Sequence, residues 1–251
     1  MSKRHVVDNG KRNGKKKEGY VVVSARTPGQ KRYIIEIQNN DVTICTGPAG
    51  TGKTAIAVGL GLQYITAEST PYDRLVIMRP VKEACDEHIG YLPGDLEEKM
   101  IPWAAPVVDN MALFMDSSKV KLLFHAKKIE VIPLAYARGR SLNRSFIIVD
   151  EAQNCSDKQM LMVLTRIGEG SKMVINGDLD QSDTMHIVNG LADAATRLHG
   201  VEGIGVVSLE SRDIVRNPMI REIIRRYKAS IQDDEIDPVT AHSVLEAMAV
   251  S

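Results

Sequence analysis

The clearest chemical signal in the sequence is a glycine-rich run at residues 47–54 that matches G-x-x-x-x-G-K-[ST], the phosphate-binding P-loop pattern. Glycines let the backbone approach phosphates and turn its N–H groups toward them, and a helix that begins there adds partial positive charge. Lys53 is expected to reach the β- and γ-phosphates of a nucleotide, and the Thr54 hydroxyl to ligate Mg²⁺. The predicted phosphate-binding residues are Gly47, Pro48, Ala49, Gly50, Thr51, Gly52, Lys53 and Thr54.

A second signal is the pair of acids that ends the apolar run 146–149. Because ligands of parallel sheets bind beyond the carboxyl ends of the strands, Asp150 is expected near a metal held by Thr54. Asp150 is therefore a predicted Mg²⁺ ligand, directly or through water, and Glu151 is predicted to polarise the attacking water. This pair favours hydrolysis over phosphoryl transfer to a second substrate. The alternative is that both acids only cap the next helix.

A third apolar run, 174–175, is also followed by polar residues. Gln181 is a candidate for contacting the γ-phosphate and sensing its hydrolysis. Taken alone, Gly177 and Asp178 are typical of an ordinary turn.

These candidates need a fold that brings them to one edge. Apolar runs alternate with longer amphipathic stretches, which predicts an α/β fold with a mostly parallel sheet and helices on both faces. Strands are predicted at 42–45, 75–78, 129–132, 146–149, 173–175 and 206–209. Helices are predicted at 54–67, 94–116, 160–167, 186–198 and from about 218 to 227. We expect Pro102 and Pro106 to break or kink the second helix, and Ser156 with Gln159 to cap the third.

Length and charge predict one domain with two tails. The chain has 251 residues, 43% of them hydrophobic, and a net charge of zero, which suits a single globular α/β domain over 20–230. Residues 1–17 carry seven basic residues and one acid, whereas 231–251 carry five acids and no lysine or arginine. We predict a flexible basic tail at 1–19 and an acidic tail at 231–251. The basic tail is either a nucleic-acid contact or a solubilising leader.

The cysteines bear on the compartment. Cys45, Cys85 and Cys155 are far apart and odd in number, which favours free thiols in a reducing cytoplasm and gives no metal-ligand spacing. The sequence has no apolar stretch long enough for a membrane span and no apolar run of a signal peptide after the basic N-terminus. We therefore expect a cytoplasmic protein without a membrane segment.

Longer strings resemble known families. The P-loop, DEAQN (150–154) and GDLDQ (177–181), in that order, resemble the core of superfamily-1 helicases. The strings closest to the PhoH family of ATPases, over about residues 25–230, are RTPGQ (26–30), GPAGTGKT (47–54), RPVKEA (79–84), GYLPGDLEEK (90–99), PLAYARGRSLN (133–143), LTRIGEGSK (164–172) and DIVRNP (213–218). The resemblance implies a RecA-like P-loop NTPase fold, with ATP and Mg²⁺ as ligands and ATP hydrolysis as the activity. It also implies helicase-like action on RNA or single-stranded DNA and a homo-oligomeric ring, expected to be a hexamer.

The resemblance implies roles for further residues. Gln30 would read the adenine edge, and Arg216 would stabilise charge on the transferring phosphoryl group, in cis or from a neighbouring subunit. Arg79 lies at a strand end, where helicase cores place residues that contact phosphate or the strand. Arg138 and Arg140 lie in a predicted loop and would contact nucleic acid or the next subunit. For each arginine the alternative is a surface ion pair.

The chain also departs from the family pattern. About 25 residues precede RTPGQ, too few for the PIN nuclease domain that some relatives carry, so nuclease activity is not expected. Cys85 and Asp86 replace a common Gly-Glu, and Arg212 stands where an acid is commoner, which could alter a contact between subunits. A single RecA-like domain cannot supply both halves of a helicase, but a ring with heterologous interfaces could.

Three function classes fit these residues. The first is a Mg²⁺-dependent ATPase coupled to RNA or single-stranded DNA. The second is a nucleotide-dependent regulatory or assembly module, which the 4% aromatic content favours because bases usually stack on aromatic side chains. The third, a GTPase or small-molecule kinase, ranks last because the sequence has no N-K-x-D guanine signature and Glu151 suits water activation.

Overall fold

A computed structural model of the chain describes residues 21–80, 96–181, 189–217 and the positions 219–220, 222–223 and 225–226, with the backbone alone described over 96–103. The tails predicted at 1–19 and 231–251 lie outside these residues. So do Cys85 and most of the strings 79–84 and 90–99. The P-loop, both other polar strand ends and all the arginines discussed above lie within the described residues.

Six strands of the described residues form one parallel sheet in the order β3-β2-β4-β5-β1-β6. They are β1 (Val42–Thr46), β2 (Arg74–Arg79), β3 (Ile129–Pro133), β4 (Ser145–Val149), β5 (Lys172–Gly177) and β6 (Ile204–Ser208). Every predicted strand is confirmed to within two residues, because strands of a parallel sheet are apolar on both faces and stand out as continuous runs. β5 separates β1, which leads into the P-loop, from β4, which leads into the acids.

Helices cover both faces of this sheet. They are α1 (Pro28–Asn39), α2 (Lys53–Thr66), α3 (Leu96–Ala112), α4 (Ser117–His125), α5 (Asp157–Leu164) and α6 (Gly190–Arg197). The described positions between 219 and 226 are also helical, where the last helix was predicted. The capping box is confirmed, since Gln159 N donates to Ser156 Oγ at 3.2 Å and Ser156 N donates to Gln159 Oε1 at 2.9 Å.

Two helical predictions need correction. α1 and α4 were not predicted, although α1 begins with Thr27 as its cap and Pro28 in its first turn, both of which favour a helix start. Of the break or kink expected at Pro102 and Pro106, the break does not occur, since α3 is one α-helix that spans both positions. A proline removes only its own N–H bond and crowds one carbonyl. Complete burial of Val107 and Met111 in the core holds the helix together beyond that point.

The core lies in two layers, one on each face. Successive residues of β2 alternate between them: Leu75 and Ile77 pack with α1–α4, whereas Val76 and Met78 pack with α5 and α6. Gly61 lets α2 lie close to the sheet, because a Cβ there would be 2.8 Å from Leu75 Cδ1. This confirms the predicted α/β fold with a parallel sheet and helices on both faces. In the part of the chain that the structure describes, no helix is long and apolar enough to cross a membrane.

Candidate functional site

The P-loop joins the end of β1 at Thr46 to the start of α2 at Lys53. Three of its glycines, Gly47, Gly50 and Gly52, have φ values of 144°, 80° and 84°. Residues with a Cβ are strained in this region, so glycine suits these turns. At Gly47 space is also short, because a Cβ would lie 2.5 Å from the Leu209 carbonyl oxygen. The glycines therefore allow the chain to form the tight turns of this loop.

Lys53 turns back over this loop. Its Nζ donates to the carbonyl oxygens of Gly47 at 2.5 Å and Pro48 at 3.0 Å, and the Thr51 hydroxyl donates to Pro48 O at 2.8 Å. Burial lowers the pKa of Lys53, while nearby acidic groups act in the opposite direction. The ammonium group is therefore held where an arriving phosphate would offer it a stronger, charged partner.

The structure brings the P-loop and the acidic end of β4 together, as the strand-end argument predicts. The Thr54 hydroxyl donates to Asp150 Oδ1 at 2.7 Å. Burial raises the pKa of Asp150, while the hydrogen bond from Thr54 and the positive charges of Arg79 and Lys53 act in the opposite direction. Among the residues that the structure describes, no cluster of three His, Cys, Asp or Glu side chains could hold a metal alone. Thr54 and Asp150 fit Mg²⁺ as a partial donor set that the oxygens of a bound nucleotide would complete, which is how Mg²⁺ is commonly held.

Arg79 faces the acids. Its Nε lies 3.5 Å from Asp150 Oδ2, and its Nη2 lies 3.9 Å from Glu151 Oε1. The Arg79 side chain is 15% exposed and that of Asp150 5%, whereas that of Glu151 is 44% exposed. Arg79 therefore acts in this arrangement as the counter-charge of the acid pair, at the strand end where a phosphate contact was predicted.

Glu151 is positioned by a residue to which the sequence analysis gave no role. Gln153 is buried, its Nε2 donates to Glu151 Oε2 at 2.7 Å, and its Oε1 accepts from Asp178 N at 3.1 Å. Glu151 itself has a positive φ of 57°. Gln153 thus links the acidic strand end to the segment after β5. The string DEAQN contained it, but nothing local to the string identified its partners.

Asp178 extends this link to the P-loop. Its Oδ2 accepts from Ala49 N at 3.0 Å, and its Oδ1 accepts from Asp180 N at 3.1 Å. Burial raises the pKa of Asp178. The interpretation of Gly177 and Asp178 as an ordinary turn was therefore incomplete, since Asp178 binds an amide of the phosphate loop. Gln181 ends a short 3₁₀ turn that follows.

The other side of the P-loop is closed by α1 and by the segment after β6. Gln30 is buried, its Nε2 donates to Thr51 O at 2.9 Å, and its Oε1 accepts from Arg26 N at 2.7 Å. These bonds use one of its two N–H groups and one of its two oxygen lone pairs. Val215 N donates to Gly50 O at 3.0 Å, which sets Arg216 beside the loop of its own chain.

Asp213 joins these two closing segments and was not predicted. Its carboxylate accepts from the Thr27 hydroxyl at 2.6 Å, from Gly29 N at 3.2 Å and from Glu210 N at 3.0 Å. Gly29 is required at this contact, because a Cβ would lie 2.3 Å from Asp213 Oδ2. The start of α1 and the segment that carries Arg216 are therefore fastened to one buried carboxylate.

A cavity of about 990 Å³ runs between these elements, a volume near the upper end of the range for small-molecule sites. The predicted site residues that line it are Gln30, Ala49, Gly50, Gly52, Lys53, Thr54, Asp150, Glu151, Gln181 and Arg216. The hydrophobic part of its wall includes Val22, Leu113 and Phe114. The site residues predicted from several distant strings are thus brought together around one cavity.

Arg138 and Arg140 lie apart from this cavity, in the loop that follows β3. Arg140 makes a bidentate pair with Glu130, with both N···O distances at 2.8 Å. This is the ion pair that the sequence analysis left open as the alternative for Arg140. The Arg138 side chain is exposed.

The chain is similar to proteins described as PhoH-like. A family model with the description PhoH-like protein matches residues 22–228. A PhoH-like protein from Synechocystis sp. is 45% identical over 210 residues, which cover 83% of this chain and 63% of the relative. A PhoH-like protein from Bacillus subtilis is 39% identical over 206 residues, 82% of this chain and 64% of the relative. Protein PhoH of Escherichia coli is 35% identical over 208 residues, 82% of this chain and 58% of the relative.

The chain therefore spans about three fifths of the length of these curated relatives. Among solved structures, the UvsW helicase from bacteriophage T4 aligns with a TM-score of 0.45 and 12% identity. That alignment covers 75% of this chain and 60% of the helicase.

Proposed function

This chain belongs to the PhoH-like protein family, and from that membership and the site geometry we propose that it is a Mg²⁺-dependent ATPase. The observation that carries the proposal is the 2.7 Å hydrogen bond between the Thr54 hydroxyl and Asp150. It joins the segment suited to phosphate with the segment suited to Mg²⁺ and to water activation. Family membership supports a P-loop NTPase in general, and ATP hydrolysis is our specific proposal.

Binding would use the backbone and two side chains. The N–H groups of the P-loop and Lys53 would hold the triphosphate, with the helix N-terminus of α2 adding partial positive charge. Thr54 and Asp150 would hold Mg²⁺, which neutralises charge on the β- and γ-phosphates when bound. Lys53 would exchange its carbonyl partners for phosphate oxygens.

Hydrolysis would start at Glu151. Its carboxylate would accept a proton from a water molecule whose oxygen attacks the γ-phosphorus, while the bond to the β–γ bridging oxygen breaks and ADP departs. Gln153 would keep Glu151 oriented through their 2.7 Å hydrogen bond. Gln181 would contact the γ-phosphate, and Arg216 would stabilise the charge on the transferring group. The bond from Val215 N to Gly50 O supports action of Arg216 in cis.

Base recognition would fall to Gln30. A carboxamide can donate to and accept from the adenine edge at the same time, and Gln30 keeps one N–H group and one lone pair beyond its two bonds within the protein. The fixed position of Gln30 against Thr51 supports this role, because it ties the base side of the cavity to the phosphate loop.

Coupling to RNA or single-stranded DNA in a homo-oligomeric ring is the further part of this proposal. The family resemblance supports it, and so does the exposed arginine at position 138 on the carboxyl edge. The alternative function is a nucleotide-dependent regulatory or assembly module, which the low aromatic content favours. A cytoplasmic location fits the two buried free thiols, Cys45 and Cys155, since disulfides are rare there.

The test is steady-state phosphate release from Mg²⁺-ATP, with and without single-stranded RNA or DNA. We expect basal turnover that one polymer stimulates, and the Glu151→Gln variant should bind ATP but lose turnover by about 10²- to 10⁴-fold. Turnover that ignores both polymers would favour the regulatory module. Unchanged turnover in Glu151→Gln would show that Glu151 only caps the next helix. Native mass measurement with ATP tests the ring, which a strict monomer would contradict.

A further inference from the structure

The loop that follows β3, residues 134–144, is here named the β3–β4 loop, and buried side chains anchor it to the core. Its first part is a 3₁₀ turn, Leu134–Ala137, in which Leu134 and Ala137 are buried. Leu142 is also fully buried further along. These three apolar side chains anchor the loop to the core and leave the residues between them facing solvent.

Arg140 fixes the middle of this loop. Its guanidinium forms two parallel 2.8 Å bonds with the Glu130 carboxylate on β3, and its own carbonyl oxygen accepts from Arg166 Nη1 at 3.2 Å. Bidentate pairs of this kind restrict orientation strongly. Arg140 is therefore occupied within the protein and serves to hold the shape of the loop.

Tyr136 is exposed, whereas the other aromatic side chains that the structure describes are packed against the core. Tyr33 and Phe146 are fully buried, and the rings Tyr64, Tyr72, Phe114 and Phe124 pack against the core. Tyr136, in contrast, is 51% exposed, and it is the one ring among the exposed large side chains of the described residues. The loop thus holds an aromatic ring in solvent on a fixed backbone.

Arg138 lies two residues beyond Tyr136 and is exposed as well. Within the described ranges, neither a carboxylate nor a side-chain hydrogen bond engages its guanidinium. Gly139 follows with a φ of 77°, and no atom lies within 4 Å of the position that a Cβ would take there. An exposed aromatic ring and an exposed guanidinium therefore lie two residues apart on the same loop.

The position of this pair relates it to the nucleotide site. β3 ends at Pro133, which lies opposite Arg79 of β2 in the sheet register. The loop therefore begins beside the arginine that faces Asp150 and Glu151. Two strand spacings, about 10 Å, separate β3 from β4 across this edge.

We propose that Tyr136 and Arg138 form a binding site for single-stranded nucleic acid, in which Tyr136 stacks on a base and Arg138 binds an adjacent phosphate. The proposal rests on the proposed function and supplies the contact that its nucleic-acid part needs. A single strand presents bases and phosphates in alternation. A ring and a guanidinium two residues apart therefore suit a single strand better than they suit an apolar protein surface. Arg140 is a positioning residue for this site.

The experiment measures the fluorescence anisotropy of a labelled oligouridine, and of its deoxythymidine counterpart, with the full chain. Tyr136→Ala should bind about 5- to 100-fold more weakly, whereas Tyr136→Phe, which keeps the ring, should bind within about twofold of the wild type. Arg138→Ala should also bind more weakly and should reduce the slope of log affinity against log salt by about 0.7. Leu161→Ala on α5, an exposed apolar residue outside the loop, should bind like the wild type.

ATP turnover without polymer separates this site from the proposed function. It should be unchanged in Tyr136→Ala, Tyr136→Phe and Arg138→Ala, because none of these residues lines the nucleotide cavity. The proposed site would be overturned if Tyr136→Ala bound the oligonucleotide like the wild type, or if the Ala and Phe variants lost equal affinity. Neither result would contradict the proposed ATPase function. If Tyr136→Ala changed only the oligomeric state in native mass measurement, the loop would be a subunit contact and the proposal would fail. A wild-type protein that binds neither strand would overturn both this site and nucleic-acid coupling.

Discussion

The P-loop and the acidic end of β4 lie at the same edge of the sheet but are held in place differently. Within the P-loop, Lys53 and Thr51 bond to carbonyl oxygens of the loop itself. The acidic end depends on Thr54 of α2, on Arg79 of β2 and, through Gln153, on Asp178 after β5. The P-loop pattern lies in one stretch of the sequence and can be recognised there, although Gln30, Asp178 and Val215 also bond to it. Most contacts of the acidic end come from distant segments, so that site is only partly predictable from sequence.

Because of this difference, substitutions in the two regions should impair different steps, nucleotide binding in one and hydrolysis in the other. Loss of a P-loop side chain removes the partner of the phosphates and should therefore abolish nucleotide binding. Loss of a contact around β4 leaves the phosphate loop intact and should slow hydrolysis while binding persists. The variants below, in order of decreasing expected effect, test whether the two regions separate in this way.

Lys53→Ala should have the largest effect, because it removes the one predicted cationic side chain of the P-loop. We expect turnover to fall by at least about 10²-fold and ATP binding to be lost. Phosphate release and binding of a fluorescent ATP analogue measure these two losses. Lys158→Ala, an exposed lysine on α5, is the matched control and should behave like the wild type. Normal turnover in Lys53→Ala would refute the P-loop assignment.

Gln153→Met should have an intermediate effect that is confined to hydrolysis. Methionine keeps the approximate volume but loses the bond to Glu151, so the carboxylate is no longer oriented. We expect kcat to fall by about 10- to 100-fold with ATP affinity nearly unchanged.

The double variant with Glu151→Gln sharpens this test. If Gln153 acts through Glu151, the double variant should be no slower than Glu151→Gln alone. Additive losses would instead show that Gln153 acts independently of Glu151. A fall in ATP affinity equal to the fall in kcat would show that the two regions are not separable.

Asp213→Asn should have the smallest effect on function. Its first measurable effect should be a lower free energy of unfolding. Burial alone would raise the pKa of Asp213, but hydrogen bonds from Glu210 N, the Thr27 hydroxyl and Gly29 N bring it below its usual value. A depressed carboxyl pKa stabilises the fold above the unfolded pKa of about 3.9, and this stabilisation is lost as the pH falls through the folded pKa. At pH 7 the variant should lose about 1–3 kcal/mol of unfolding free energy, because an amide leaves buried donors poorly paired.

Urea unfolding at a series of pH values measures this difference. The gap between wild type and Asp213→Asn should be full at pH 7 and should narrow below about pH 4. Glu169→Gln, which changes an exposed acid, should show little gap at any pH. A gap for Asp213→Asn that stays constant with pH would mean that the carboxylate charge does not stabilise the fold.

The parts of the molecule that the sequence predicts are those whose causes are local or periodic. The strands are buried on both faces, so each appears as an apolar run. The P-loop depends on three glycines within six residues of sequence. Helix α1 was missed although its start at Thr27 and Pro28 carried a signal, because its body mixes charged and apolar residues. The continuity of α3 could not be predicted, since it depends on burial of Val107 and Met111.

The site residues that were missed have distant partners. Gln153 bonds to Asp178, 25 residues away, and Asp178 bonds to Ala49, 129 residues away. Asp213 bonds to Thr27 across 186 residues. No spacing rule within a single string could reveal such pairs. Their residue types, buried carboxylates and a buried amide, are recognisable as functional only once the fold has brought their partners to them.

The left-handed backbone conformation at Glu151 favours residues other than the one that supplies the carboxylate. Among the non-glycine residues that the structure describes, it shares a positive φ with Lys127 and Arg144. Glycine would relax this position by about 1 kcal/mol, and asparagine would also tolerate it better, yet either change deletes the carboxylate. If Glu151 activates water as we propose, a screen that rewards thermal stability alone would enrich inactive variants at position 151. Engineering of this protein would then need selection on turnover at this position, because the residue that best fits the backbone differs from the residue proposed to activate water.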